Sequence, residues 1–522
     1  MEGSKTEKVQ NLHLNSVDLS IDDFENLLQG GAKVELCDDV MERVQKAFDL
    51  LKEFTEKKII YGVNTGFGPM AQHRVDRKDR IALQYNLIRS HSSGAGKAIP
   101  MQCVKAGMLA RLRNFSLGHS GVHPDVVLIL QKMLNHDIIP VIPEHGGVGA
   151  SGDLVQLAHL ALSIIGEGEV FYKGKRQDTA SVFKELGIEP LEIRLREGLA
   201  MINGTSIMSG ISMVNIMEAK KLLNWSLSAS AMINEIVQSF DDHYSEELNN
   251  VKRHQGQREI AQAIREITTS SKLVKKREFH TIDQKELRVF DEKFQEYYSL
   301  RCLPQILGPI WDTIKNTQEV IENEVNSVSD NPVIDIESRK VYHGGNFHGD
   351  YVSLEMDKLK IAITKLSMLA ERQLNFLMND KLNNILPPFV NLGVLGVNLG
   401  MQGTQFTATS TVAENQTLSN PMYIHSIPNN NDNQDIVSMG TNSAMLARRV
   451  INNSFQVLAI ELLTLVQAVD YLGFVDQLSD NSAKLYRDIR KLVPKFAEDK
   501  VMYKELDLVG DYIRNNAPKI IK

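Results

Sequence analysis

Long apolar stripes at helical spacing dominate the second half of this 522-residue chain. Between residues 354 and 378, apolar side chains recur at steps of three and four, which draws one continuous stripe along a helix. This stripe consists of Leu359, Ala362, Ile363, Leu366, Leu369, Ala370, Leu374 and Leu377. Residues 446–465 repeat the pattern, and residues 207–227 are a further candidate. Several helices of about 20 residues or more, separated by short polar turns, predict a long helical bundle.

The first 200 residues have a different character. Helical stretches alternate there with glycine-rich turns at 61–69, 92–96 and 146–152, and a short hairpin is predicted near 169–175. We therefore expect a mainly α protein with a smaller mixed N-terminal domain, residues 1–200. The long helical bundle is expected to follow as a second domain, residues 201–522.

The composition of the chain disfavours several classes of binding partner and binding site. The chain carries 58 basic and 65 acidic residues, a net charge of −7, which is a poor basis for binding nucleic acid. Its three cysteines, Cys37, Cys103 and Cys302, form no CxxC pair, so a zinc ribbon or thiol redox motif is unsupported. No apolar run approaches the roughly 18 residues of a membrane span, and residues 1–8 do not resemble a secretory signal. We predict a cytoplasmic protein without a membrane or nucleic-acid partner.

The segment Gly147-Val148-Gly149-Ala150-Ser151-Gly152 fits the G-x-G-x-x-G pattern of dinucleotide sites. Such a site needs a clean preceding strand, and Pro140 and Pro143 interrupt the upstream segment. No alternating strand and helix pattern surrounds it, so a nucleotide site is disfavoured. A plain glycine turn that starts a helix at Asp153 is the simple structural alternative.

The triplet Ala150-Ser151-Gly152 also has a chemical interpretation. The Gly152 amide nitrogen can attack the Ala150 carbonyl carbon, because glycine lacks a Cβ and permits a sharp fold. Loss of water closes a five-membered ring, and loss of the Ser151 hydroxyl leaves an exocyclic methylidene. The product, methylidene-imidazolone (MIO), is a strong electrophile.

Residues 147–154 resemble the MIO signature of the histidine, phenylalanine and tyrosine ammonia-lyase and aminomutase family. The resemblance extends over nearly the whole chain, and overall it is greatest to bacterial tyrosine ammonia-lyases. The other matching segments are Tyr61–Gly68, Asn203–Thr205, Tyr298–Arg301, Asp330–Pro332, Gly345–Gly349, Ala413–Asn415 and Asn433–Asp435. The resemblance implies elimination of ammonia from an aromatic amino acid, with MIO formed from Ala150, Ser151 and Gly152 as the cofactor.

The same resemblance implies roles for individual residues. Tyr61, in a glycine-rich segment suited to a mobile lid, is the expected general base for the β-proton. Arg301 is the expected anchor of the substrate carboxylate, with Tyr298 near the MIO ring, and Glu414 is expected beside the substrate amine. The other positions expected to contact the substrate or the cofactor are Ser90, His91, Asn203, Asn331, Phe347, Asn433 and Gln434.

Two pairs of residues bear on the substrate. Ser90-His91 matches the selectivity pair of the family, and an imidazole at His91 can hydrogen-bond a phenolic hydroxyl. An apolar residue there would leave that hydroxyl unpaired, at a cost of roughly 1–3 kcal/mol. Asn433-Gln434 replaces the Gln-Glu pair of histidine lyases by a neutral amide, which favours tyrosine. Phe406 stands where tyrosine aminomutases of this family have a tyrosine.

The sequence therefore predicts an L-tyrosine ammonia-lyase that forms trans-4-coumarate. Histidine ammonia-lyase and tyrosine 2,3-aminomutase remain as alternatives, and so does a catalytically inactive homologue that serves as a helical binding scaffold. The family resemblance implies a homotetramer with active sites shared among subunits. No metal is expected, because His343 and His348 have no third ligand at a recognisable spacing.

Overall fold

The structure is a computed structural model and describes residues 10–279, 289 and 293–521. Helices make up most of these residues, which confirms the mainly α class. The helices before residue 205 are α1 (Ile21–Leu28), α2 (Asp38–Thr55), α3 (Arg80–His91), α4 (Met101–Ser116), α5 (Pro124–Asn135), α6 (Leu154–Ile164), α7 (Thr179–Leu186) and α8 (Glu197–Ile202).

Four later helices exceed 20 residues, and they confirm the predicted long helical bundle. They are α9 (Ser206–Ile236), α13 (Leu303–Val325), α14 (Asp350–Met378) and α17 (Gly440–Leu472). All eight residues of the predicted stripe at 359–377 are buried in α14, since its apolar face points into the protein. The shorter helices of this part are α10 (Glu246–Asn250), α11 (Gln255–Thr268), α12 (Tyr298–Arg301), α15 (Asp380–Asn383), α16 (Gln402–Leu418), α18 (Asp480–Leu492) and α19 (Tyr503–Asn515).

Short strands form four small sheets among the described residues. β1 (Gln10–Leu14) lies parallel to β2 (Ala32–Leu36), and β3 (Ala95–Ala98) lies antiparallel to β5 (Pro143–His145). β4 (Ile139–Pro140), β6 (Glu169–Tyr172) and β7 (Lys175–Asp178) form one antiparallel sheet, and β8 (Val333–Asp335) pairs with β9 (Lys340–Tyr342). The predicted hairpin is therefore confirmed as β6–β7. Its two-residue turn has positive φ at Lys173 and Gly174, as tight hairpin turns require.

The described chain divides into two units made of discontinuous segments. The first unit comprises residues 1–217, 317–357 and 421–447, and it contains all the described strands. The second comprises residues 218–316, 358–420 and 448–522. The division at residue 200 stays a prediction from the sequence. The observed grouping differs from it because α9, α13, α14 and α17 each contribute residues to both units, so the mixed unit extends beyond the N-terminal segment.

Helix α17 is long and apolar enough to cross a membrane by length and composition alone, with a mean hydropathy of 1.5. Of its most apolar stretch, 78% is buried inside the protein. Contact with protein therefore accounts for its apolar character. The absence of a membrane partner and the cytoplasmic location stay predictions.

Candidate active site

The glycine-rich segment at 149–152 reverses direction so tightly that only glycine fits at two positions. Gly149 and Gly152 pair across the turn, with φ of +79° and +69°. A Cβ on Gly149 would lie 2.0 Å from Ser438 Oγ, and one on Gly152 would lie 1.9 Å from the Gly204 carbonyl oxygen. The fold thus holds the backbone of Ala150-Ser151-Gly152 in a compact turn with no room for side chains at its ends.

Residues far away in sequence hold this turn. Gln434 Nε2 donates a hydrogen bond to Ser151 Oγ at 3.0 Å. Ser438 Oγ and the Gly349 amide both donate to the Gly149 carbonyl, at 3.1 and 3.0 Å. The predicted site residues Ser151 and Gln434 are therefore in direct contact, and the segment that carries Phe347 ends at the same turn.

Asp153 connects the turn to the start of α9. Its carboxylate is fully buried and accepts hydrogen bonds from the Ile207 and Met208 amides, each at 2.9 Å, and from the Thr441 hydroxyl. Its own amide donates to the Gly204 carbonyl at 2.8 Å. Burial raises the pKa of Asp153 to about 6, against the opposing effect of these donors. The negative charge lies at the helix N-terminus, where the helix dipole favours it.

Two fully buried arginines lie around this turn. The Arg196 guanidinium forms an ion pair with Asp330 at 3.1 Å, with both side chains completely buried. Among the described residues, the Arg111 side chain has a single hydrogen-bond partner, Asn114 Oδ1 at 3.5 Å, and its guanidinium lies 4.4 Å from the centroid of the Phe115 ring. Burial lowers the pKa of Arg111 to about 10, which leaves the guanidinium charged at neutral pH.

The two predicted asparagines belong to one hydrogen-bond network. Asn203 Nδ2 donates to the Asn331 carbonyl at 3.1 Å and to Asp330 at 3.4 Å. Asn331 Oδ1 accepts from the Gly344 amide at 2.9 Å. Because Asn203 directly precedes Gly204, which pairs with the glycine turn, the network adjoins Ser151 through the backbone.

Both the backbone amide and the side-chain hydroxyl of Tyr61 form hydrogen bonds. Its amide donates to His343 Nε2 at 3.3 Å, which requires the His343 tautomer with the proton on Nδ1. Its hydroxyl accepts a hydrogen bond from the Gly68 amide at 2.9 Å, and its ring lies edge-on to Phe67, with centroids 6.2 Å apart. The Tyr61 hydroxyl is thus directed back onto its own loop.

That loop also meets the segment that carries Gln434. A Cβ on Gly68 would lie 2.8 Å from Asn430 Nδ2. Residues 430–432 all have positive φ and close a turn in which Asn429 pairs with Gln434, and the exposed Asn433 belongs to this turn. The structure therefore places the Tyr61 loop and Ser151 against the same short segment, 429–434.

The predicted selectivity pair lies at the C-terminal end of α3. His91 Nδ1 lies 3.0 Å from the Leu87 carbonyl oxygen and 3.0 Å from Ser90 Oγ. Ser90 Oγ donates to the same carbonyl at 3.2 Å. Just beyond, the Gly94 amide donates to His159 Nε2 at 3.1 Å, and β3 pairs with β5, which leads into the glycine turn.

Tyr298 and Arg301 belong to the second unit. The Tyr298 side chain is 70% exposed, and the Arg301 guanidinium lies 4.5 Å from its ring centroid. Arg301 Nη1 donates to the Glu296 carbonyl. The helical spacing of three therefore brings these two residues together.

Glu414 also belongs to the second unit, on α16. Its carboxylate accepts a hydrogen bond from Asn453 Nδ2 at 2.7 Å and forms an ion pair with Arg449. Both partners come from α17, and neither was identified from the sequence.

Several residues that support the site were not identified from the sequence. They are Arg111, Asp153, Arg196, Thr441, Arg449 and Asn453. One signal was present: in α4 two arginines, at 111 and 113, directly follow the apolar run Met108-Leu109-Ala110. Among the described residues, no group of three or more His, Cys, Asp or Glu is arranged to hold a metal ion.

Comparison with known proteins adds independent information. A family described as "Aromatic amino acid lyase" matches residues 19–491. A histidine ammonia-lyase of Geobacillus sp. (strain WCH70) is 38% identical over 497 residues, which cover 95% of each chain. The MIO-dependent tyrosine 2,3-aminomutase of Streptomyces globisporus is 38% identical over 502 residues, 94% of this chain and 93% of that one. The crystal structure of the tyrosine aminomutase from Streptomyces globisporus matches with a TM-score of 0.92 and 36% identity, over 97% of both chains.

Proposed function

Because the chain belongs to the aromatic amino acid lyase family, a family of enzymes that cleave carbon–nitrogen bonds, we propose that it converts L-tyrosine to trans-4-coumarate and ammonia. The sequence match spans most of the chain, and relatives that act on histidine and on tyrosine are equally similar to it. The choice of substrate therefore depends on the residues around the site.

The observation that carries the choice of tyrosine is the hydrogen bonding of His91. Its Nδ1 lies 3.0 Å from both the Leu87 carbonyl oxygen and Ser90 Oγ, and in our proposal Nδ1 carries the proton and donates it to the carbonyl, which leaves a lone pair on Nε2. A lone pair is the partner that a phenolic O–H needs. A phenylalanine ring offers no such donor, and Nε2 would then be left without one.

Gln434 supports tyrosine over histidine. Its neutral amide contacts Ser151 Oγ at 3.0 Å, so no carboxylate stands at this point of the site. An imidazole substrate gains most from an acceptor with a negative charge, because charge-assisted hydrogen bonds are roughly twice as strong as neutral ones. A phenol does not need that charge.

The residues at 150–152 fit the formation of MIO. The Gly149–Gly152 turn brings the chain back on itself, and the lack of space for a Cβ at Gly152 explains why glycine supplies the ring nitrogen. Once formed, MIO supplies the electrophile that captures the amino group of the substrate. The hydrogen bond from Gln434 orients the Ser151 hydroxyl, which must leave during ring formation.

Tyr61 acts as the base that removes the β-proton. The Gly68 amide donates a hydrogen bond to the Tyr61 hydroxyl at 2.9 Å, which fixes the position of the phenol oxygen within the loop. The backbone contact with His343 fixes the start of the loop, so the phenol keeps its place when the lid excludes water.

The remaining polar residues bind the carboxylate and the amine of the substrate. Arg301 offers a planar fork that suits a carboxylate, and Asn331, whose side-chain oxygen accepts from the Gly344 amide, has two N–H donors on Nδ2. Glu414, held by Asn453 and Arg449, provides the negative charge for the amine.

In our proposal the protein is a homotetramer in which neighbouring subunits complete each site. This assembly brings Arg301, Tyr298 and Glu414 to the substrate. Large aromatic side chains are exposed on the single chain, notably Tyr298, Tyr351 and Phe406, at 70%, 71% and 67%. Such side chains are enriched where proteins associate. Light scattering of the purified protein tests the tetramer through its mass.

The second candidates are a histidine ammonia-lyase and a tyrosine 2,3-aminomutase, since relatives with these names are 38% identical to the chain. One assay separates all three. Purified protein is incubated in turn with tyrosine, phenylalanine and histidine, and the products are identified by mass and chiral chromatography.

We expect 4-coumarate from tyrosine, with little product from the other two substrates. Urocanate from histidine without 4-coumarate would establish the histidine lyase instead, and accumulation of β-tyrosine would establish the mutase. The intact mass of the same sample tests the cofactor separately, because MIO formation removes two water molecules.

A further inference from the structure

Arg111 is a completely buried cation with unsatisfied donors. Its side chain is 0% exposed within α4, and within the described part of the chain its Nε and Nη2 atoms have no hydrogen-bond partner. The one partner, Asn114 Oδ1, lies at 3.5 Å, the limit of a hydrogen bond. Burying a guanidinium without a direct counterion costs free energy, so a stable fold alone gives no reason for this arrangement.

The position of the cation is specific. A Cβ on Gly204 would lie 2.6 Å from Arg111 Nη1, so the guanidinium fills the space beside that glycine. On its other side, the Gly204 carbonyl blocks any Cβ on Gly152, and the two glycines pair as neighbouring strands do. A single peptide, that of Gly204, therefore separates the cation from the Ala150-Ser151-Gly152 turn.

The nearby carboxylates are engaged elsewhere. Asp330 is paired with Arg196, and Asp153 accepts hydrogen bonds from the start of α9 and from Thr441. Both attract Arg111 electrostatically without contacting it in an ion pair. In a buried environment of low dielectric, a charge that no contact neutralises acts over several ångströms. Its field thus reaches the turn.

We propose that Arg111 is a positioning residue for the cyclisation of the Ala150-Ser151-Gly152 turn, a role that depends on the proposed formation of MIO. In the first step the Gly152 nitrogen bonds to the Ala150 carbonyl carbon, and the carbonyl electron pair moves onto oxygen. That oxygen leaves as water with one proton from the Gly152 amide and one from the Ser151 amide, and a C=N double bond forms between the Ala150 carbonyl carbon and the Ser151 nitrogen. Ser151 then loses its Cα proton and its hydroxyl as the second water, which leaves a double bond between its Cα and Cβ.

Arg111 promotes the first step in two ways. Its positive charge favours the negative charge that develops on the Ala150 oxygen. Its guanidinium occupies the space beside Gly204, whose carbonyl lies against Gly152, and so limits the movement of the Gly204 peptide away from the turn.

The test measures ring formation rather than turnover. Arg111→Met removes the charge and keeps a long side chain, and Arg111→Lys keeps the charge. Arg113→Met is the matched control: Arg113 lies two residues further along the same helix and is also buried, but its guanidinium is held by Asp18, Asn326 and the Asn15 carbonyl. Intact mass under denaturing conditions reports how many chains have lost two waters.

We expect wild type, Arg111→Lys and Arg113→Met to lose both waters, and Arg111→Met to cyclise more slowly by a factor on the order of ten or more. Complete loss of both waters in Arg111→Met, at the wild-type rate, overturns the proposal. Circular dichroism checks that each variant is folded, and Arg111→Gln serves as a second neutral variant. If neither neutral variant folds while Arg113→Met does, Arg111 is a structural residue and the proposal is wrong. A wild-type chain that retains both waters refutes the proposed cofactor instead, so the two failures are distinguishable.

Discussion

Gln434 Nε2 donates a hydrogen bond to Ser151 Oγ at 3.0 Å, although 283 residues separate the two in sequence. The contact places a neutral amide at Ser151, the central residue of the proposed cofactor. It also connects this serine to the 429–434 turn, against which the Tyr61 loop lies.

The first prediction concerns this contact. Gln434→Glu places a carboxylate at the same point, which favours a substrate with an imidazole N–H over one with a phenol. We expect the ratio of kcat/KM for histidine to that for tyrosine to rise on the order of ten-fold, the value of a charge-assisted hydrogen bond. Steady-state kinetics with both substrates measure it. An unchanged ratio would remove Gln434 from the account of specificity.

Ser151→Ala is expected to abolish turnover and to leave the fold intact. The hydroxyl accepts one hydrogen bond, so its removal changes the free energy of unfolding by about 1 kcal/mol. The intact mass of the variant should show no loss of water, and thermal unfolding should remain close to wild type. Activity at the wild-type level would refute the cofactor assignment.

Tyr61→Phe is expected to bind substrate without converting it. Loss of a general base lowers kcat by about 100- to 10,000-fold, whereas the ring of phenylalanine keeps the packing against Phe67. Calorimetric titration with tyrosine gives the affinity, and single-turnover kinetics give the rate. The variant must still show the loss of two waters, which separates a missing base from a missing cofactor; normal turnover would exclude Tyr61 as the base.

His91→Leu is expected to shift the preference from tyrosine towards phenylalanine. The phenolic hydroxyl then has no partner, at a cost of roughly 1–3 kcal/mol, or about 5- to 150-fold in relative kcat/KM. Ser90→Ala keeps the imidazole and removes only the hydroxyl that lies 3.0 Å from His91 Nδ1, so it tests the neighbouring contact while the proposed partner of the phenol remains. A preference that stays the same in both variants would contradict the polar contact.

The stability of the protein should depend on pH through Asp153. Its folded-state pKa is raised to about 6 by burial, above the ordinary value of 3.8. Between those values the folded protein binds more protons than the unfolded chain, so stability falls as pH rises through this window, by about 3 kcal/mol in total.

Asp153→Asn cannot titrate, so it isolates this effect. We expect the thermal midpoint of Asp153→Asn minus that of wild type to increase between pH 4 and pH 6 and to stay constant above pH 6. Calorimetric scans of both proteins across this range make the comparison. A difference in midpoint that is constant with pH would show that Asp153 has an ordinary pKa in the folded protein.

The sequence predicts local structure well in this chain and long-range structure less completely. The stripe from Leu359 to Leu377 is buried in α14, and the hairpin at 169–175 is present, because helical period and turn residues are local properties. The arrangement of the units differs from a linear division near residue 200, because no local pattern shows that a long helix contributes to two packed units.

The same distinction holds for the site. The family motifs identified Ser151, Gln434 and Tyr61 as candidate site residues. The structure places these three near one another, and their roles stay proposals. Arg111 and Asp153 were not assigned roles. Their importance depends on their neighbours in the folded protein. The Arg111 guanidinium lies beside Gly204, and Asp153 binds the Ile207 amide at the start of α9. Neither residue type nor spacing reveals these neighbours.

The contact between Asp153 and Thr441 sets the order of events when the protein is made. Thr441 lies 288 residues beyond Asp153, and Gln434 and Ser438 are almost as distant from the turn. A ribosome must therefore synthesise the chain as far as residue 441 before the glycine turn meets all three of these groups. Chains released before residue 441 carry Ala150-Ser151-Gly152 without these supports, so under our proposal the cofactor forms only after that point of synthesis.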